Sequence, residues 1–170
     1  RRDLEEGLRQ VLEAFAEGVN AGISSVSNHA ALLSSTVFPV DVLPVRAVLA
    51  SQSGFIAGFA VVLICATIWG KPSPWWLLLP LLIALQVAWL IGLAWILSVA
   101  NLLVRDLQNF VAFMITVFMV LSPIAFTSEM LPPVLKPLIW INPFAYFVLA
   151  YQSILMLGEG PSPSHGMAIL

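Results

Sequence analysis

The groups with which this sequence could do acid–base, covalent or metal chemistry are few, and their spacing suits none of it. The lone cysteine, Cys65, lies inside an apolar run, the setting of a small core hydrophobe. His29 and His165 are far apart, and no HExxH, CxxC or related ligand spacing occurs, so no metal site is expected. No GxxxxGKS/T loop and no GxGxxG turn is present, which excludes ATP binding by a Walker-type loop. No residue is assigned a catalytic role. The net charge of −2 offers no basic field for nucleic acid.

What the sequence has in quantity is apolar surface. Of 170 residues, 60% are hydrophobic and 9% charged, against about 25% charged in soluble domains. Eight of the sixteen charges fall within the first 17 residues, and the other eight serve the remaining 153. A soluble surface cannot be built from so few, and disorder needs the opposite composition. The expected fold is an all-α, polytopic membrane helical bundle. The elements that position any working residue must then be sought between the charges.

A membrane span needs about 20 apolar residues without charge. Arg46, Lys71, Arg105, Asp106, Glu129, Lys136 and Glu159 divide the chain on that basis. Residues 47–69 form the first clear span. Lys71-Pro72-Ser73-Pro74 is a turn, because its prolines stop helices. Residues 75–104 form a second span, long enough to tilt. Trp69, Trp75 and Trp76 gather at the turn between them, as an interfacial aromatic belt does. Arg105-Asp106 makes the next turn, and 107–126 the third span. Beyond it, 127–157 is proline-rich and then apolar but broken at Asn142-Pro143, a pattern that predicts re-entrant or interfacial helices, with a kinked span as the alternative.

Upstream, residues 18–40 are also free of charge but hold Asn20, Ser24, Ser25, Ser27, Asn28 and His29. So polar a segment fits a helix buried among others, where hydroxyls and small residues pack and bond across helices. Leu4, Leu8, Val11, Leu12 and Phe15 recur at helical spacing, so the charged N-terminal stretch is amphipathic and is not a signal peptide. The prolines of Phe38-Pro39-Val40-Asp41-Val42-Leu43-Pro44 break the helix that precedes them. Positive charges are balanced between the two sides and leave the orientation open.

Five short motifs occur in order: Asn28-His29-Ala30-Ala31-Leu32-Leu33 leading to Phe38-Pro39 and Pro44; Asn101-Leu102-Leu103-Val104-Arg105-Asp106; Leu121-Ser122-Pro123; Met130-Leu131-Pro132; and Asn142-Pro143-Phe144 followed by Tyr151-Gln152-Ser153. Together they resemble the permease subunit of a type-2 ABC exporter, in the branch that exports capsular polysaccharide, O-antigen and teichoic acid. The resemblance covers about residues 13–160. It implies six spans per subunit, a homodimer of permeases, and two separate nucleotide-binding ATPase subunits that hold ATP and Mg; no cofactor is expected on this chain. It also implies a multi-pass location in the bacterial cytoplasmic (inner) membrane, a lipid-linked glycan as cargo, and a chain incomplete at both ends. On this pattern a helix at about 11–33 matches the family's second span, 34–44 its cytoplasmic coupling segment, and 127–157 its re-entrant helices.

Site residues follow from the same resemblance. Ser34, Ser35, Phe38 and Pro39, with Arg105 and Asp106, are the expected ATPase-coupling residues. An aromatic ring beside a proline of locked φ makes a stiff apolar knob for a groove on a partner. Phe110, Phe113 and Val117 share a helical face with Leu121. On the family's channel-lining span they would offer rings that stack on sugars without demanding one pattern of hydroxyls. Tyr146 and Tyr151 are placed at an outer gate, or as interfacial anchors with ring in lipid and hydroxyl among headgroups. A membrane-embedded enzyme or an ion-coupled carrier would need ionisable groups at membrane depth, which the three clear spans lack. Within the family, export of drugs or lipids is the competing reading.

Overall fold

The computed structural model describes residues 2–29, 41–69, 73–104, 106–120, 122 and 142–157, and every element among them is helical. Helix α1, Arg2–Ser24, forms because Val11, Leu12, Phe15, Val19 and Ile23 recur on one side, and all five are buried. It ends in a run of serines. Ser24 Oγ donates to the Asn20 carbonyl at 2.8 Å and Ser25 Oγ to that of Gly22 at 2.7 Å. Such back-bonding competes with helix continuation, and the chain tightens into a 3-10 turn, Ser27–His29. The helix expected at about 11–33 is therefore shifted towards the N-terminus. The charged amphipathic segment and the polar segment are in register and make one helix.

Helix α2, Val42–Trp69, carries Pro44 in its first turn, where no intrahelical hydrogen bond is lost. A 3-10 turn, Pro74–Leu78, is capped by Ser73, whose side chain accepts from the Trp75 amide. It leads into α3, Leu79–Leu103. Helix α4 covers Leu107–Val120. Helix α5 covers Pro143–Gln152 and continues as a π-type turn over Ser153–Leu157. Val42–Ala60 and Pro74–Leu103 are long and apolar enough to cross a bilayer, whereas α4 and Pro143–Leu155 are shorter apolar helices.

Helix α1 is the hub: it touches all four other helices, most extensively α2 and α3. Two glycines set the approach. A Cβ on Gly22 would lie 2.5 Å from Ala94 Cβ, and one on Gly18 3.1 Å from Gln52 Nε2 and 3.2 Å from Leu90 Cδ1. The Gly18-x-x-x-Gly22 spacing thus lets backbones close to contact, as small residues do between membrane helices. These pairings also fix direction. Going down α1, its partners on α3 rise from Trp89 to Leu90 to Ala94, while those on α2 fall from Gly58 to Gln52 to Val48. So α1 runs parallel to α3 and antiparallel to α2.

A Gly→Ala change inside a helix ordinarily stabilises it by about 0.5–1 kcal/mol. At Gly22 the sign should reverse, because the methyl overpacks the α1–α3 contact at a cost of about 1–3 kcal/mol. At Gly54 a Cβ meets nothing within 4 Å, so the ordinary gain is expected there. Thermal unfolding of the detergent-solubilised protein should show Gly22→Ala below, and Gly54→Ala at or above, the unsubstituted chain. Equal shifts would mean the helices do not meet at Gly22.

Candidate functional site

The inward face of α3 reads Leu79, Leu82, Gln86, Leu90, Ala94, Ser98 and Asn101, one residue every three or four, all buried. The amides in that row act as ties. Tyr151 Oη donates to Gln86 Oε1 at 2.8 Å, joining α5 to α3. Asn101 Nδ2 donates to the Ile23 carbonyl at 3.3 Å and to Ser27 Oγ at 3.5 Å, joining α3 to the end of α1. On α2, Gln52 Nε2 donates to the Ala14 carbonyl at 3.5 Å. Among apolar neighbours these bonds specify which helix faces which, since an unpaired amide is costly where no water replaces the partner.

The α4–α5 junction rests on Asn142, which is fully buried. Its Oδ1 accepts from the Phe144 amide at 3.0 Å, capping α5, and its Nδ2 donates to the Phe118 carbonyl on α4 at 2.8 Å. Asn142 is thus an N-cap and an interhelical tie at once. An aromatic cluster closes around it: Phe144 lies 5.1 Å from Phe15, 5.9 Å from Phe118 and 6.3 Å from Trp89, measured between ring centroids. Helix α5 accordingly begins inside the bundle, level with Trp89 of α3, and runs back towards the Pro74–Leu78 turn.

The residues singled out from sequence fall in different places. Ser34, Ser35, Phe38, Pro39 and Arg105 lie outside the described residues. Asp106 is exposed, and its carbonyl accepts from the Phe110 amide at 3.1 Å. Phe110 and Phe113 are 59% and 62% exposed, so the aromatic face of α4 lies on the outside of the bundle. Val117 is half-buried at its edge, and Ile115 faces the core. Tyr146 is half-buried.

Tyr151 departs from the expectation of a gate or a headgroup anchor. Its ring is fully enclosed beside Phe59, centroids 5.7 Å apart, and its hydroxyl is spent on Gln86. Helix α5 lies deep enough that this face meets α3 rather than an opening. Sequence reasoning assigns no role to Gln86 and passes over the cap role of Asn142. The spacing of Gln86 to Ser98 and Asn101 along one face is the signal for the first. Near the start of α2, Val26, Asp41, Pro44, Trp95, Ser98 and Val99 line a cavity of about 310 Å³, and Trp95 Nε1 donates to the Asp41 carbonyl at 2.9 Å.

A helical membrane bundle with polar ties between helices, and one helix that starts within it, is the frame of a polytopic membrane protein. The chain belongs to the ABC-2 type transporter family, which matches residues 45–156. It is similar to an O-antigen export system permease protein RfbA of Klebsiella pneumoniae, 30% identical over 146 residues, which cover 85% of this chain and 56% of that protein. It is likewise similar to an O-antigen export system permease protein RfbA of Myxococcus xanthus, 25% identical over 158 residues, 91% of this chain and 61% of that protein. The chain thus spans less than two thirds of the length of these relatives.

Proposed function

We propose that this chain is the permease part of an ATP-driven ABC exporter that moves a lipid-linked polysaccharide across the bacterial cytoplasmic membrane. The observation that carries this reading is the similarity to O-antigen export permeases over 85% of the chain. ATP and Mg sit on a separate nucleotide-binding subunit, and a second copy of the permease completes the conduit. Residues Ser34, Ser35, Phe38 and Pro39 dock against the ATPase, with Arg105 and Asp106 at the neighbouring turn. Closure of the ATPase pair then rotates the attached helices as a rigid body. The outward rings of Phe110 and Phe113, with Val117 beside them, form a sliding wall for sugars, and Tyr146 borders the outer exit while Tyr151 seats its helix.

The test is reconstitution with the cognate ATPase and a radiolabelled lipid-linked glycan. ATP-dependent transfer of the glycan to the opposite leaflet or lumen is expected. ATP-dependent movement of a phospholipid or an amphipathic drug, with no glycan movement, would overturn the assignment of cargo. In the same assay Phe113→Ala should slow glycan transfer about fivefold, the worth of one stacked ring at roughly 1 kcal/mol. Its ring is exposed, so the bundle should unfold at an unchanged temperature.

A further inference from the structure

Helix α1 shows two unlike faces at the same depth. Three sides are buried by the other four helices. Along the remaining side run Glu6, Arg9, Gln10, Glu13 and Glu17, all exposed, and the line continues through half-buried Asn20 and Ser24. The spacing of three and four residues puts them on one stripe. Arg9 Nε donates to Glu13 Oε1 at 3.0 Å, with the two side chains 73% and 47% exposed.

The depth of that stripe follows from its neighbours. Trp75 and Trp95 are both half-exposed on the second spanning segment, and 20 residues of helix separate them by about 30 Å, the thickness of a bilayer's hydrocarbon core. Exposed Asp41 and Arg46 sit at the Trp95 end, as an interface demands. Gly22 is level with Ala94, and α1 climbs from there alongside α3. At 1.5 Å per residue, Glu17, Glu13, Arg9 and Glu6 lie about 8, 14, 20 and 24 Å from the Trp95 level, within the band the two tryptophans mark. At the same height α2 exposes Ile56 and α3 exposes Leu81, surfaces suited to lipid.

Ionised side chains at bilayer depth are costly against lipid and face water-filled cavities or paired partners instead. We propose that the polar stripe of α1 borders a water-filled passage through the membrane, with α1 as one of its walls. The stripe is a boundary with water, not a binding site: its charges are spread over about three helical turns and point outward together. The inference rests on the depth of α1 and does not depend on which cargo the exporter carries.

Cysteine accessibility tests it, in membrane vesicles holding the permease with its ATPase. Cys65 is replaced by alanine, and single cysteines are placed by Glu13→Cys, Glu17→Cys and Asn20→Cys, with Ile56→Cys as the control at matching depth. The probes are membrane-impermeant methanethiosulfonates, one cationic and one anionic. Because only the thiolate reacts and hydrocarbon suppresses it, stripe cysteines should label at least about tenfold faster than Ile56→Cys. Asn20→Cys keeps all the native carboxylates, so it should label faster with the cationic than with the anionic reagent, and it guards against misfolding of the glutamate variants. Labelling at all three stripe positions no faster than at Ile56→Cys would show the stripe covered by lipid or protein and overturn the proposal.

Discussion

Tyr151→Ala is expected to unseat α5 and to cost the bundle about 3–5 kcal/mol, the range for emptying a large buried aromatic site. The ring is fully enclosed and stacks edge-on against Phe59, and the hydroxyl is the donor to Gln86. Truncation leaves a cavity and strips Gln86 of its partner. Tyr151→Phe separates the two contributions. It keeps the ring and loses the hydrogen bond, so about 1–3 kcal/mol is expected, the desolvation of an amide left alone. Replacing both partners, Tyr151→Phe with Gln86→Leu, should recover most of that loss, since an apolar pair of similar shape needs no hydrogen bond. Thermal unfolding of the detergent-solubilised complex ranks the three. A double variant no better than Tyr151→Phe alone would mean the Gln86–Tyr151 bond is not what holds α5 to α3.

Asn142→Ala should be the second most damaging change, at about 2–4 kcal/mol. An N-cap is worth about 1 kcal/mol, and a buried carbonyl left without its donor about 1–3 more. One side chain serves both ends: the Phe144 amide of α5 and the Phe118 carbonyl of α4. Asn142→Ser discriminates between them, because serine caps a helix well but is too short to reach Phe118. It should retain about half of the stability difference. Limited proteolysis in membranes reads the same effect locally, as faster cleavage near α5 in the alanine variant than in the serine variant. Identical behaviour of the two would leave the tie to the Phe118 carbonyl alone as the role of Asn142.

Charge gaps alone make α2 and α3 legible in the amino-acid sequence. An apolar run bounded by Arg46 and Lys71, or by Lys71 and Arg105, has few ways to fold other than as a membrane helix. The same criterion hides α1. A helix with Glu6, Arg9, Glu13 and Glu17 fails a test for chargeless spans, although the buried spacing of Val11, Phe15 and Val19 announces a packed face. Its bounds differ from the expected ones because the serine run looks like the middle of a polar helix and is where the helix ends.

The ties are harder to see. Gln86 is one amide in a long apolar run, and its partner Tyr151 is 65 residues away. Nothing local distinguishes a tyrosine that reaches inward from one that anchors in headgroups. The aromatic face of α4 is legible by period, but its outward position depends on how the other helices pack around α1, which no local pattern encodes.

On the proposed function, a segment of this chain takes up the work of an ATPase from the cytoplasm. The most direct measurement is a site-specific crosslink in the assembled exporter, with Cys65 replaced by alanine, a single cysteine introduced by Ser35→Cys or Phe38→Cys, and a cysteine in the groove of the co-expressed ATPase. An ATP-dependent disulfide at Ser35 and Phe38, and none from Ser73→Cys at the opposite end of α2, is the predicted result. Labelling of the Ser35→Cys variant from the outer face, with no crosslink under any nucleotide condition, would invert the topology and contradict the coupling of this permease to an ATPase.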